Sequence, residues 1–136
     1  MTRVEGLTTI ASQLDPKETM DRVQAGISVH GLEVFARIDH AAGARAAGLE
    51  LRPTELIIFG NARGGTPLMQ SAQTTGIDLP LKVLVWQDAA NKTWISYNEP
   101  GWIAARHHLT DVDVVVGKIA SLLSSVLTKA AGLSSE

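Results

Sequence analysis

The chain has no cysteine. It can therefore hold no disulfide framework, no thiolate metal site and no thiol nucleophile. Nor is there an excess of one charge: 12 Lys and Arg stand against 14 Asp and Glu, a formal net charge of -2. No overall positive field gathers nucleic acid or anionic lipid head groups. Long apolar runs are missing too. Residues 114–133, the most apolar long stretch, are interrupted by Lys118, Lys129 and several serines, whereas a bilayer span needs about twenty nearly uninterrupted apolar residues. That stretch predicts a helix lying on a core. The start, Met-Thr-Arg-Val-Glu-Gly, lacks the apolar run of a signal peptide. A cytoplasmic address is expected, with neither nucleic acid nor membrane as partner.

Several catalytic signatures are absent as well. There is no Gly-x-Ser-x-Gly elbow for a nucleophilic serine and no His-Glu-x-x-His for zinc. Adjacent His107 and His108 would diverge by about 100° on a helix, too far to share an ion. Neither a metal nor a cofactor is expected. What remains is a chain of 136 residues, 45% of them hydrophobic, which is enough for one ordinary core. No linker or repeat divides it, so a single domain over residues 1–136 is expected.

Local signals mark the elements. Residues 7–12 read as a first strand. Asp15-Pro16-Lys17-Glu18 combines an acidic cap, proline at the first helical position and a carboxylate three residues on, predicting a helix to about His30 that Gly31 ends. Residues 32–38 read as a strand with Val34, Ala36 and Ile38 on one face. Asp39 then caps a short alanine-rich helix closed by Gly48. The run Leu56-Ile57-Ile58-Phe59 suggests a central strand buried on both faces. A glycine-rich loop follows over residues 60–65, and Thr66-Pro67 repeats the cap-then-proline signature for a helix ended near Gly76. Residues 81–87 and 93–98 form a hairpin around the turn at 88–92. Pro100 opens another short helix, and the last helix runs over about 112–131. Taken alone, this alternation of strand and helix suggests a parallel α/β sheet.

Two features carry candidate chemistry. The loop Gly60-Asn61-Ala62-Arg63-Gly64-Gly65-Thr66 resembles a phosphate loop in its glycine spacing, but Thr66 and Pro67 stand where lysine and a hydroxyl residue are required. Its ordinary role is a turn and a cap. Its functional reading is a site for a carboxylate or phosphate, with backbone amides from Gly64 and Gly65 and Arg63 as the supporting cation. The second feature is His40, at a strand-to-helix junction, a candidate general base with Asp39 or Asp88. The ordinary reading makes Asp39 a cap and His40 a first-turn residue. Trp86, Trp94 and Tyr97 fall on the hairpin without interleaved basic residues, so core or dimer packing is expected rather than a stacking platform for single strands.

Three blocks, residues 35–44, then 48–61, then Gly65-Thr-Pro-Leu-Met69, together with residues 76–86 and Tyr97-Asn-Glu-Pro100, make the chain resemble the family called Domain of Unknown Function 302 (DUF302). The resemblance covers about residues 6–110. Ala62-Arg63 departs from the proline that members often carry after the Phe-Gly-Asn block. The resemblance implies an α+β fold: a curved, largely antiparallel sheet with helices packed on it, TATA-binding-protein-like, and commonly a dimer. It carries no catalytic residue over to this chain.

The expected function is a homodimeric small-molecule or anion binding or sensing protein, with a site near His40, Asn61, Arg63, Gly64, Gly65, Thr66 and Tyr97. The alternatives are an acid–base enzyme using His40, and an interaction module that docks a partner on its terminal helix or hairpin edge.

Overall fold

The computed structural model describes residues 3–133. The elements are β1 (Leu7–Ser12), α1 (Pro16–Val29), β2 (Glu33–Asp39), α2 (His40–Ala46), β3 (Thr54–Gly60), α3 (Ala62–Ser71), a 3-10 turn (Gln73–Ile77), β4 (Leu81–Gln87), β5 (Thr93–Asn98), α4 (Pro100–Arg106) and α5 (Asp113–Ala130). Most boundaries follow from local chemistry. The Asp15 side chain accepts from Glu18 N at 2.8 Å, and Pro16 opens α1. Asp39 accepts from Ala42 N at 2.9 Å and starts α2. Gly31 and Gly48, at φ +73° and +77°, end these two helices in the left-handed conformation that glycine adopts without strain.

The five strands form one sheet in the order β1-β5-β4-β3-β2, and every neighbouring pair is antiparallel. The fold is α+β with an antiparallel sheet, as the family resemblance implies, and the parallel sheet suggested by the alternation of elements alone is overturned. A pattern of apolar residues reports which face is buried, not which strand lies alongside. Here β2 to β5 form a meander. Helix α1 then carries the chain from β1 at one edge to β2 at the other, crossing one face of the sheet.

On that face α1 and α5 build the core. Met20, Val23 and Ile27 of α1 and Leu123, Val126, Leu127 and Ala130 of α5 pack on Ile57 and Phe59 of β3, Val83 and Val85 of β4, and Ile95 and Tyr97 of β5. Each large apolar side chain removed from water in this way contributes about 1.5–3 kcal/mol. The two helices approach closely at Gly26: a Cβ there would lie 2.8 Å from Val126 Cγ1. The opposite face is less covered at its central strands. Leu56, Ile58, Leu84, Trp86 and Trp94 are only half-buried on it, so β3 is apolar on both faces but fully covered on one. The middle strand by position is β4.

Two local expectations are corrected. In β2, Val34 pairs with Phe59 and Ala36 with Ile58, so a β-bulge at Phe35 breaks the alternation. Val34 joins the helix-side core while Ala36 and Ile38 face the other way, and Phe35 is left half-exposed at 51%. The second correction concerns α3, which starts at Ala62 and not at Thr66. Asn61 is its cap, accepting from Gly64 N at 2.7 Å. Gly64 and Gly65 thus lie in the first turn and Pro67 inside the helix. Proline at that point removes one intrahelical donor and crowds the carbonyl four residues back, yet the helix runs through it from the stronger asparagine cap upstream. The helix ends at Ser71, before the separate 3-10 turn that contains Gly76.

Candidate functional site

The corrected start of α3 has a direct consequence, because the glycines it absorbs form part of a cavity wall. A cavity of about 470 Å³ lies between α3 and α5, at the end of the sheet where β3 leaves and β4 enters. The β2 bulge contributes Phe35, α3 contributes Gly64, Gly65, Thr66 and Met69, and the segment before β4 contributes Gly76, Leu79 and Pro80. From α5 come Lys118, Ile119 and Leu122. Glycine keeps the α3 side hollow: a Cβ on Gly65 would sit 3.6 Å from Leu79 Cδ1 and 3.8 Å from Met69 Cε, ordinary contact distances. A larger side chain there would crowd Leu79 and Met69, both members of the cavity wall.

The lining is mostly apolar. Its polar members are Asn61, Thr66 and Lys118, and Lys118 is its sole charged residue. Among the described residues Lys118 has no ion pair, unlike Lys17, which bonds Asp21 at 3.1 Å. Its own helix offers none either, since positions three and four away are Val114, Val115, Ser121 and Leu122.

A polar clasp holds the wall formed by residues 71–80. Asp78 lies 2.6 Å from His107 Nε2 and accepts from Arg106 Nη1 with both oxygens, at 2.9 and 2.8 Å. Thr74 Oγ1 meets the other ring nitrogen, Nδ1, at 2.9 Å. Ser71 Oγ accepts from Thr110 N at 2.9 Å. Partial burial pushes the Asp78 carboxyl up, but the hydrogen bonds from His107 and Arg106 outweigh it and hold the group below the usual carboxylate range.

The structure divides the residues expected at the site. Asn61, Gly64, Gly65 and Thr66 line one cavity, whereas Arg63 is exposed on α3 and is not part of the lining. His40 is exposed at the start of α2 and lines none of the cavities described. Its neighbour Asp39 is engaged as the cap, and Asp88 accepts from Trp94 Nε1 at 2.8 Å on the far hairpin. Tyr97 is buried at 8% exposure beside β1, where Thr8 donates to Glu99. Burial first, then the Glu99 charge, raises its phenol above the ordinary range.

Sequence reasoning passed over Phe35, Met69, Leu79, Ile119, Leu122 and Lys118. The signal available for Lys118 was a lysine without a helical acidic partner beside the apolar pair Ile119 and Leu122. A second cavity, of about 410 Å³, is lined by Lys17, Arg37, Arg45, Asp15, Asp39 and Glu55 among others. Most of its charges are already engaged: Arg37 donates to both Glu55 oxygens at 2.9 and 2.8 Å and to Asp21 and Gln24, Lys17 pairs with Asp21, and Asp15 and Asp39 cap helices.

Fold and cavity define an antiparallel α+β protein with helices on one face of the sheet and a lateral apolar pocket at one end. The chain belongs to the family described as "Domain of unknown function DUF302", which it matches over residues 8–130. A crystal structure of an uncharacterized conserved DUF302 protein from Bacillus stearothermophilus superimposes with a TM-score of 0.82 over 94% of this chain and 99% of that one, at 17% identity. Among curated proteins, the chain is 46% identical over 128 residues to the fluoride-specific ion channel FluC 1 of Brucella suis biovar 1 (strain 1330), covering 93% of this chain and 50% of that protein. It is equally similar to FluC 2 of Brucella melitensis biotype 1, of which it covers 47%. The chain thus spans about half the length of the curated relatives it matches. Among its described residues, no helix is long and apolar enough to cross a membrane.

Proposed function

We propose that this chain is a small-molecule-binding domain whose site is the cavity between α3 and α5, and that it serves as the sensing partner of a fluoride channel. The cavity carries the first part. Its volume, about 470 Å³, falls within the range typical of ligand pockets, and an apolar wall with a few placed polar groups is the usual composition of such sites. The named relatives support the second part. An ion channel needs segments that cross the bilayer with every backbone polar group satisfied. The sheet here has free edges at β1 and β2, and the conduction path is expected in the half of the relatives that this chain does not match.

Fluoride itself is a poor candidate for the ligand. A small, strongly hydrated anion would exchange water for an apolar wall with one cation at its edge, and that desolvation is costly. The ligand is therefore organic, and the anion reading of the glycine-rich loop narrows to an organic molecule with at most a small charged end. The acid–base reading has no comparable support, since the adjacent Asp39 is engaged as the α2 cap and His40 itself is exposed and lines none of the cavities described. Thermal unfolding against a panel of metabolites, with sodium fluoride as a separate arm, tests this function. A stabilising organic compound, with no shift from millimolar fluoride, is expected. Saturable stabilisation by fluoride alone would overturn it.

A homodimer is the second element of the reading, favoured by the open sheet face. Five strands about 4.8 Å apart and six or seven residues long present on the order of 500 Å² in projection, and corrugated side chains exceed their projection. That approaches the area each partner gives up in a specific interface. The half-buried row Leu56, Ile58, Leu84, Trp86 and Trp94 suits an isologous contact with a second copy.

A further inference from the structure

We infer that the ligand of the α3–α5 cavity is a single-chain amphiphile with a monoanionic head, its apolar chain in the cavity and its head on Lys118; this rests on the ligand-binding reading above and names the class of molecule. The chemistry of the lining carries it. Among the residues that line the cavity one is charged, and that residue is a cation with no carboxylate among its neighbours in the wall. Lys118 is exposed, and a lysine lays its methylenes along an apolar wall while its ammonium stays at the wet rim. Phe35, Met69, Leu79, Ile119 and Leu122 furnish the interior, with methionine able to adapt to an irregular chain. One unpaired cation at the rim matches one negative charge on the head.

Size sets the rest. A methylene fills about the volume of a liquid water, roughly 30 Å³, so the cavity holds one chain of on the order of ten to fifteen carbons. Two chains of a bilayer lipid do not fit. An acyl carboxylate free in solution is the occupant these features describe.

Isothermal titration with decanoate, decanol and decylamine, on the wild type and on Lys118→Met and Gly65→Leu, tests the inference. Decanoate is expected to bind best. Lys118→Met should weaken decanoate about tenfold while leaving decanol unchanged, because a charge-assisted contact is lost and the apolar one kept. Gly65→Leu should abolish binding of all three without loss of fold, as judged by an unchanged unfolding transition. If decanol binds as well as decanoate, and Lys118→Met affects neither, the head-group assignment fails while the cavity remains a binding site. If no amphiphile binds while another compound stabilises the wild type but not Gly65→Leu, the amphiphile class is wrong and the ligand-binding reading stands. If Gly65→Leu alters the binding of nothing, both fail.

Discussion

His107 Nε2 lies 2.6 Å from Asp78 Oδ2, joining the end of α4 to the segment that walls the cavity. The contact brings together residues 29 positions apart and leaves the imidazole only 8% exposed. Arg106 shares the same carboxylate. The clasp therefore ties the wall's position to the packing of α4, and loosening it should affect both stability and the cavity.

Replacing Asp78 by alanine leaves His107 and Arg106 without their acceptor and should cost about 1–3 kcal/mol at neutral pH. The acid dependence has a definite sign. The folded carboxyl titrates below its unfolded value, so its contribution is complete above about pH 4 and is lost as pH falls through the lower, folded value. Urea unfolding at pH 7 and pH 3 measures this. The gap between wild type and variant should narrow at pH 3, and a gap independent of pH would show that the carboxylate charge is not what matters.

Asn61→Ala should destabilise the protein by about 1 kcal/mol through loss of the α3 cap, and Thr66→Ala by much less. Chemical denaturation of the two variants side by side decides which residue starts the helix. Equal effects would contradict the assignment of Asn61.

At Gly26 the space is already taken by Val126 Cγ1. Alanine gains up to about 1 kcal/mol of helix propensity over glycine, but overpacking of about 1–3 kcal/mol should exceed it because a valine side chain is stiff. Gly26→Ala is expected to lower the denaturation midpoint, and adding Val126→Ala should recover part of the loss. Gly26→Ala alone raising the midpoint would show that α1 and α5 separate at little cost.

Leu84 lies at the middle of the open sheet face, opposite Leu56 and Ser96 in the register. Leu84→Glu places charge in the proposed contact and should convert a dimer to a monomer in multi-angle light scattering, with little change in far-ultraviolet circular dichroism. A wild type that is monomeric at all concentrations would remove the homodimer from the proposed function.

Legibility in the sequence followed the range of the interaction. The caps at Asp15 and Asp39, the stops at Gly31 and Gly48 and the 81–98 hairpin were readable because each rests on neighbours within a few residues. The start of α3 was misread because two cap signatures, Asn61 and Thr66-Pro67, lie five residues apart and the weaker one resembles the helix start at Asp15. The face of Val34 was misread because a bulge inserts a residue without leaving a mark in the alternation. Every residue of the candidate loop except Arg63 does line the cavity, while His40 and Tyr97 stand elsewhere.

By itself the sequence determined most of the inventory: a cysteine-free chain, the approximate spans of its strands and helices, the caps at Asp15 and Asp39 and, through the family resemblance, the α+β class. Tertiary structure alone decided the strand order β1-β5-β4-β3-β2 of the antiparallel sheet and that α3 and α5 meet across a hollow rather than a packed seam. Periodicity encodes which side of an element avoids water, and it is silent about which element covers that side. Lys118 and Gly65, 53 positions apart in the numbering, became members of one site only when the chain folded back to bring them there.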